Sequence, residues 1–198
     1  YSENDLAMIF FTSGSTGFPK GVKMTNQNFI SSFHGQMRHI FQNIKGNLNF
    51  ADIHNTSFVI SLNILLPCIF LLGQITPAIK DIDKISPVNF LKKNRISCLV
   101  TLPSTIDRIK LFNNKLQNLN IKSLLICGEP FFYDNLKFIK ENIKPKYLFN
   151  CYGSTELSPW VFSYRFKQKD YELIKKVGHV PIGKSFFNVT YAIKKEEL

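Results

Sequence analysis

The sequence predicts a layered α/β domain built on a largely parallel sheet. Short apolar runs alternate with segments of helical spacing along most of the 198 residues, the pattern of strand–helix–strand repeats. Several of these runs stop at glycine or hydroxyl residues, as strands do when a ligand-binding loop follows. The composition, 44% hydrophobic and 20% charged, belongs to a globular chain with a core of its own.

Residues 6–11 are uninterruptedly apolar and predict a buried strand. A loop rich in glycine and hydroxyls follows, and Thr25-Asn26 is a helix-start signal. Phe29, Ile30, Phe33, Met37, Ile40 and Phe41 then recur at helical spacing, and residues 46–49 read as a break. Residues 56–60 predict a short strand or turn. Residues 61–72 predict a buried helix in which Pro67 introduces a kink. A strand over 74–79 precedes a helix over 86–94, with Ser86 as N-cap and Pro87 in the first turn. Strand 96–102, helix 103–112, loop and strand 119–127, helix 133–142 and strand 147–151 complete the alternation. On this reading residues 13–20, 128–130 and 153–156 all fall beyond the carboxyl ends of strands, where open parallel sheets bind ligands.

The formal charge is +11, but the lysines are scattered in pairs such as Lys92-Lys93 and Lys175-Lys176, with no arginine-rich stripe. A solvated basic surface is therefore expected, and no nucleic-acid partner. Cys68, Cys98, Cys127 and Cys151 sit in apolar contexts without a C-x-x-C pair, which predicts reduced buried thiols and a cytoplasmic protein. Four dispersed histidines form no ligand cluster. The longest apolar run, 64–72, is far shorter than the roughly 20 residues needed to span a bilayer, so no membrane association is expected. The chain starts inside an element and stops in a charged run without a domain edge, which reads as a fragment.

Chemistry concentrates in Thr12-Ser13-Gly14-Ser15-Thr16-Gly17-Phe18-Pro19-Lys20-Gly21. Glycines let the backbone approach an anion, successive N–H groups form a donor cup, and hydroxyls add donors. The spacing fits neither G-x-x-x-x-G-K-[ST], since Lys20 follows Pro19 and precedes Gly21, nor G-x-G-x-x-G. A second segment, Asn150-Cys151-Tyr152-Gly153-Ser154-Thr155-Glu156, ends a predicted strand. It combines a ring able to stack on a purine, a hydroxyl for phosphate and a hard carboxylate for Mg²⁺.

Together these segments resemble the signatures of the AMP-forming adenylating enzymes, the superfamily of acyl-CoA synthetases, amino-acid adenylation domains and D-alanine ligases. Between them, Leu125-Ile126-Cys127-Gly128-Glu129-Pro130 resembles the strand-then-glycine segment beside the adenine. Beyond them, Gly178-His179-Val180-Pro181-Ile182-Gly183-Lys184 resembles a stretch of the amino-acid-activating members. The resemblance implies that residues 1–198 are part of the large N-terminal domain of such an enzyme, without its small C-terminal domain, ribose-binding aspartate, hinge or late lysine. It implies ATP and Mg²⁺ as cofactors and attack of a carboxylate on the α-phosphorus, giving an acyl-adenylate for transfer to a carrier thiol or CoA. Thr12, Ser13, Gly14, Ser15, Thr16 and Gly17 would cradle the β- and γ-phosphates, with Lys20 as a loop charge. Gly128, Glu129 and Pro130 would line the adenine, Asn150 would meet its polar edge and Tyr152 would stack on it. Thr155 would contact the α-phosphate and Glu156 would hold Mg²⁺. The catalytic set is thus Lys20, Thr155 and Glu156.

The carboxylate is less defined. The tail of the chain looks nearest to amino-acid adenylation domains, which hold the substrate amine with the aspartate of Phe-Asp-x-Ser. Here the stretch is Phe58-Val59-Ile60-Ser61, with Val59 in the aspartate's place. An ammonium buried without a counter-charge costs several kcal/mol. By the same correspondence the acyl pocket comprises Val59, Ile60, Asn63, Leu125, Cys127, Cys151, Pro159 and Trp160. This mostly apolar set points to an acid without a free α-amine, with Glu129 or another acid as an alternative amine partner. A catalytically incomplete nucleotide-binding or interaction module is the competing reading.

Overall fold

A computed structural model describes residues 2–13, 18–44, 46–112, 116 and 119–193. Strands β1 (Leu6–Thr12) and β2 (Lys20–Thr25) form an antiparallel two-stranded sheet, followed by helix α1 (Asn26–His39). The main sheet contains β3 (Asn49–Asp52), β4 (Gln74–Pro77), β5 (Cys98–Thr101), β6 (Ser123–Cys127), β7 (Tyr147–Tyr152), β8 (Phe162–Arg165) and β9 (Lys184–Ser185). Its order is β4-β3-β5-β6-β7-β8-β9. Strands β3 to β7 run parallel, whereas β8 and β9 add antiparallel at one edge. The helices between and after them are α2 (Leu62–Phe70), α3 (Asp81–Ile85), α4 (Val88–Lys93), α5 (Pro103–Lys110), α6 (Tyr133–Phe138) and α7 (Tyr171–Val177).

Period-two alternation divides the core. Leu99, Leu124, Ile126 and Leu148 join Leu91, Ile106, Leu136 and Ile174 in one apolar cluster. Their neighbours Cys98, Val100, Leu125, Cys127, Phe149 and Cys151 join Phe41, Ile64, Trp160 and Phe186 in another. The central strands are buried on both faces, as parallel strands with helical layers above and below must be.

The start of α1 follows the expected signal. Thr25 Oγ1 accepts the Asn28 N–H at 3.2 Å, and Asn28 Oδ1 accepts the Thr25 N–H at 3.1 Å, a reciprocal capping box. The segment before it corrects the sequence reading: the glycine–hydroxyl loop joins β1 to β2, not a strand to a helix. It therefore does not follow a strand of the parallel sheet. Nor is β1 buried, since Leu6 and Phe11 are 52% and 66% exposed. A two-stranded ribbon lacks a neighbour on its outer face, so an apolar run there reads like a core strand without being one.

Strand β3 was not expected. It is four residues long, and Phe50 and Ala51, its fully buried centre, are too few to show a period. Helix α3 was also unanticipated, and Ser86 does not cap α4, whose start at Pro87 has no side-chain cap. After Trp160 the chain turns back as β8, α7 and β9.

Gly153, just past β7, has no room for a side chain: a Cβ there would lie 1.8 Å from the Pro159 carbonyl oxygen. Gly153→Ala is expected to destabilise the fold by about 1–3 kcal/mol or more, as overpacking against backbone does. Gly178 C-caps α7 at φ 85° with open space around it, so Gly178→Ala should cost only about 1 kcal/mol, from backbone strain. Urea unfolding of the two variants would test this ranking.

Candidate functional site

Two cavities open side by side beyond the carboxyl ends of the parallel strands. The larger, about 510 Å³, gathers its wall from the ends of four strands: His54 and Asn55 after β3, Leu102 and Arg108 after β5, Cys127 and Gly128 at β6, and Gly153, Ser154 and Thr155 after β7. Val59, Ile60 and Asn63 enter from the start of α2, Lys84 from α3, and Pro159 and Trp160 from the return toward β8. The smaller cavity, about 380 Å³, is lined by Gly128, Glu129, Pro130 and Phe131 after β6, Asn150, Cys151, Tyr152 and Gly153 at β7, and His179, Val180 and Ile182. The two walls share Gly128 and Gly153. Strand order also reverses at β3, with β4 to one side and β5 to the other, the topological switch where open sheets form crevices.

Local chemistry holds each wall. Asn55 Oδ1 accepts both the N–H and the hydroxyl of Ser57 at 3.0 Å, and Ser61 Oγ donates to the Phe58 carbonyl at 2.8 Å. These bonds tie residues 55–61 into the turn that carries Val59 and Ile60. Both Asn150 amide hydrogens are committed, to the Val180 carbonyl at 3.2 Å and the Pro181 carbonyl at 3.0 Å. They hold the Gly178–Pro181 segment over β7 and leave Oδ1 as the acceptor Asn150 can offer a ligand. Gly128 adopts φ 81°, a conformation costly for a side-chain-bearing residue. Glu129 accepts the Ser104 N–H at 2.8 Å and the Ser104 hydroxyl at 2.9 Å, so its carboxylate caps the first turn of α5.

The expected adenine residues Gly128, Glu129, Pro130, Asn150 and Tyr152 thus come together in the smaller cavity. Of the expected acyl residues, Val59, Ile60, Asn63, Cys127, Pro159 and Trp160 line the larger one. Leu125 is instead fully buried core, and Cys151 lines the smaller cavity. Glu129, weighed as an amine partner, is engaged with Ser104, and among the described residues no aspartate or glutamate lines the larger cavity. Thr155 lines the larger cavity, while Glu156 lines a separate recess of about 240 Å³ with Ser31 and Ser158. Thr12 is half-buried, Ser13 and Lys20 are exposed, and none of the three lines any of these spaces. Gly14, Ser15, Thr16 and Gly17 lie outside the described residues. Strand β2 packs against the turn Thr155–Leu157, so the hairpin adjoins the Glu156 side of the site.

His54, Lys84 and Arg108 were not anticipated. His54 follows the overlooked β3, and Lys84 sits in the overlooked α3. Arg108 lies on a helix that was expected, but its orientation depends on how α5 packs. His54 Nε2 lies 2.9 Å from the Val100 carbonyl, which only accepts, so Nε2 carries the proton and Nδ1 is left as an acceptor. Burial lowers the His54 pKa, partly offset by that hydrogen bond. The Glu156 carboxyl is held below the usual range by its own backbone N–H and the Ser154 hydroxyl. Among the described residues no three His, Cys, Asp or Glu side chains gather as a metal cage. A single exposed, readily ionised carboxylate does fit Mg²⁺, which takes one or two carboxylates plus substrate phosphates.

All four cysteines are free and buried. Burial pushes the Cys127 thiol up to about 12 and raises Cys68, Cys98 and Cys151 as well. A thiol-specific chromogenic reagent at pH 8 should therefore find no rapidly reacting thiol in the native protein and four after denaturation. His54 has the opposite sign of interest: its folded pKa is depressed, so the unfolded chain binds its proton more readily. Its contribution to stability is complete above the ordinary imidazole range and is lost as pH falls through the lowered folded value. NMR titration should show the His54 ring protonating below the ordinary imidazole range.

No helix among the described residues is long and apolar enough to cross a membrane. The D-alanine–D-alanyl carrier protein ligase of Staphylococcus epidermidis is 28% identical over 187 residues, covering 91% of this chain and 37% of that protein. The L-proline–[L-prolyl-carrier protein] ligase of Pseudomonas fluorescens is 28% identical over 159 residues, covering 77% and 31%. The chain thus spans about a third of the length of these curated relatives. The solved adenylation domain AlmE of Vibrio cholerae, in complex with glycyl-adenosine-5'-phosphate, has the same fold, with a TM-score of 0.79, 20% identity, and coverage of 93% of this chain and 34% of that one. A sequence profile of the AMP-binding enzymes matches residues 1–198, and the chain belongs to that family.

Proposed function

We propose that this chain carries the nucleotide and acyl sites of an AMP-forming ligase that activates a small carboxylic acid with Mg·ATP. The observation that carries the reading is the junction at Gly128 and Gly153, where a cavity of about 380 Å³ meets one of about 510 Å³. A purine fits the first, between Tyr152 and the Gly128–Phe131 segment, with Asn150 Oδ1 accepting from its exocyclic amine. The acyl chain fits the second, and the α-phosphate bridges them beside Thr155. Two glycines at that bridge let backbone approach the reacting centre.

Adenylation asks for alignment and charge neutralisation rather than covalent help. Thr155 donates its hydroxyl to an α-phosphate oxygen and fixes the phosphorus in line with the incoming carboxylate. Thr12, Ser13, Gly14, Ser15, Thr16 and Gly17 hold the leaving pyrophosphate, and Lys20 supplies a cation to it. Glu156 would hold Mg²⁺ together with the phosphates, and the ion would supply charge neutralisation there. The buried wall of Cys127, Pro159 and Trp160 keeps water from the mixed anhydride. The acceptor of the acyl group is a carrier-protein thiol or CoA, in keeping with the carrier-protein ligases among the relatives.

Carboxylate-dependent exchange of radiolabelled pyrophosphate into ATP by the intact protein tests this. Exchange should appear with some member of a panel of amino and non-amino acids. Glu156→Gln and Lys20→Ala should each lower it by about ten-fold or more. ATP binding without exchange on any acid would favour the nucleotide-binding module instead, and unchanged rates in both variants would overturn the residue roles.

A further inference from the structure

The wall of the larger cavity has a charge asymmetry that its apolar lining conceals. Lys84 and Arg108 line it, and among the described residues no carboxylate does. Arg108 donates to Thr105 Oγ1 at 2.9 Å and has no carboxylate partner among the described residues, which leaves most of its planar fork free. The acid beside it on α5, Asp107, is engaged by Lys110 at 2.8 Å and Asn135 at 3.0 Å. Lys84 has only a long 3.9 Å pairing with the 93% exposed Asp81, too loose to bind the ammonium firmly. Val59 stands in the same wall, so an ammonium on the acyl chain meets two cations and a valine.

A further observation points to a ligand. Asn63 is fully buried and lines the cavity, yet among the described residues neither its Nδ2 nor its Oδ1 has a hydrogen-bond partner. Buried amides are seldom left so. Its Nδ2 is a donor for which the described residues supply no acceptor.

We propose that the acyl substrate is a dicarboxylic acid, whose second carboxylate is taken by Arg108 with Lys84 and Asn63 as further donors. The proposal rests on the carboxylate-activating reading and names its substrate class. Arg108 acts as a specificity-determining residue: it prefers a planar anion, which it can hold with two parallel N–H bonds. One carboxylate then faces Thr155 for activation while the other is held away from it. The same wall rejects α-amino acids by charge.

The test uses the protein's own reporter. Trp160 is its single tryptophan and lines this cavity, so its fluorescence follows occupancy. Glutarate, pentanoate and 5-aminopentanoate are titrated at pH 7.5 and constant ionic strength. Glutarate should bind about ten-fold tighter than pentanoate, and 5-aminopentanoate more weakly than either. Arg108→Gln should weaken glutarate by about ten-fold and pentanoate by less than about two-fold, with Lys84→Gln in the same direction but smaller. Equal affinity for glutarate and pentanoate, or tighter binding of 5-aminopentanoate, overturns the proposal and leaves the carboxylate reading standing. So does an Arg108→Gln variant, folded by circular dichroism, that loses both acids equally, since the cation would then serve the carboxylate the two acids share. If none of the three acids perturbs Trp160, the proposal fails, and pyrophosphate exchange on the wider panel decides whether carboxylate activation fails with it.

Discussion

The Pro159 carbonyl oxygen occupies the space that any side chain at residue 153 would need, and the site is arranged around that contact. It fastens the end of β7 to the segment that returns as β8. The five residues between Gly153 and Pro159 must then loop outward, and Ser158 turns the chain at φ 60° to make this possible. Thr155 and Glu156 ride on the loop, while Pro159 and Trp160 fold back beneath it. Gly183 repeats the device further on: it runs at φ 86°, and a Cβ there would meet the Ser163 carbonyl oxygen at 2.1 Å. Backbone against backbone, without side chains between, sets the spacing of the last three strands where they border the site.

The second constraint is the pleat. Because successive residues of β6 and β7 alternate faces, Cys127 and Asn150 are delivered to different environments from neighbouring strands. Cys127 sits in the cluster that floors the larger cavity, and Asn150 reaches the segment that closes the smaller one. Glu129 adds a mechanical tie, since it belongs to the smaller cavity yet caps the helix that carries Arg108 into the larger one.

The sequence disclosed what depends on local pattern. Buried parallel strands such as Leu124–Cys127, the Thr25 cap and the glycine-bounded motifs all announce themselves through period, capping chemistry or spacing. It was silent where long-range packing decides. Phe50 and Ala51 are too short a run to declare a strand, and with β3 went His54. The run 6–11 is apolar enough for a core strand, and only the sheet it joins shows it to be an exposed ribbon. Leu125 belongs to the expected acyl set by its position in the chain, but the strand it lies on carries it into the core floor. Arg108 has no sequence signature, because its access to the cavity depends on how α5 is set down on β5 and β6.

Among the described residues the two cavities share only two, both without side chains. Every other described lining residue belongs to one wall or the other, although both walls draw on the ends of β6 and β7. Substitutions at Val59, Asn63, Lys84 or Arg108 can therefore retune one compartment without altering a group that faces the other. A scaffold so divided can diversify what it accepts on one side while the other is held constant, and the glycine seam is the part least free to drift.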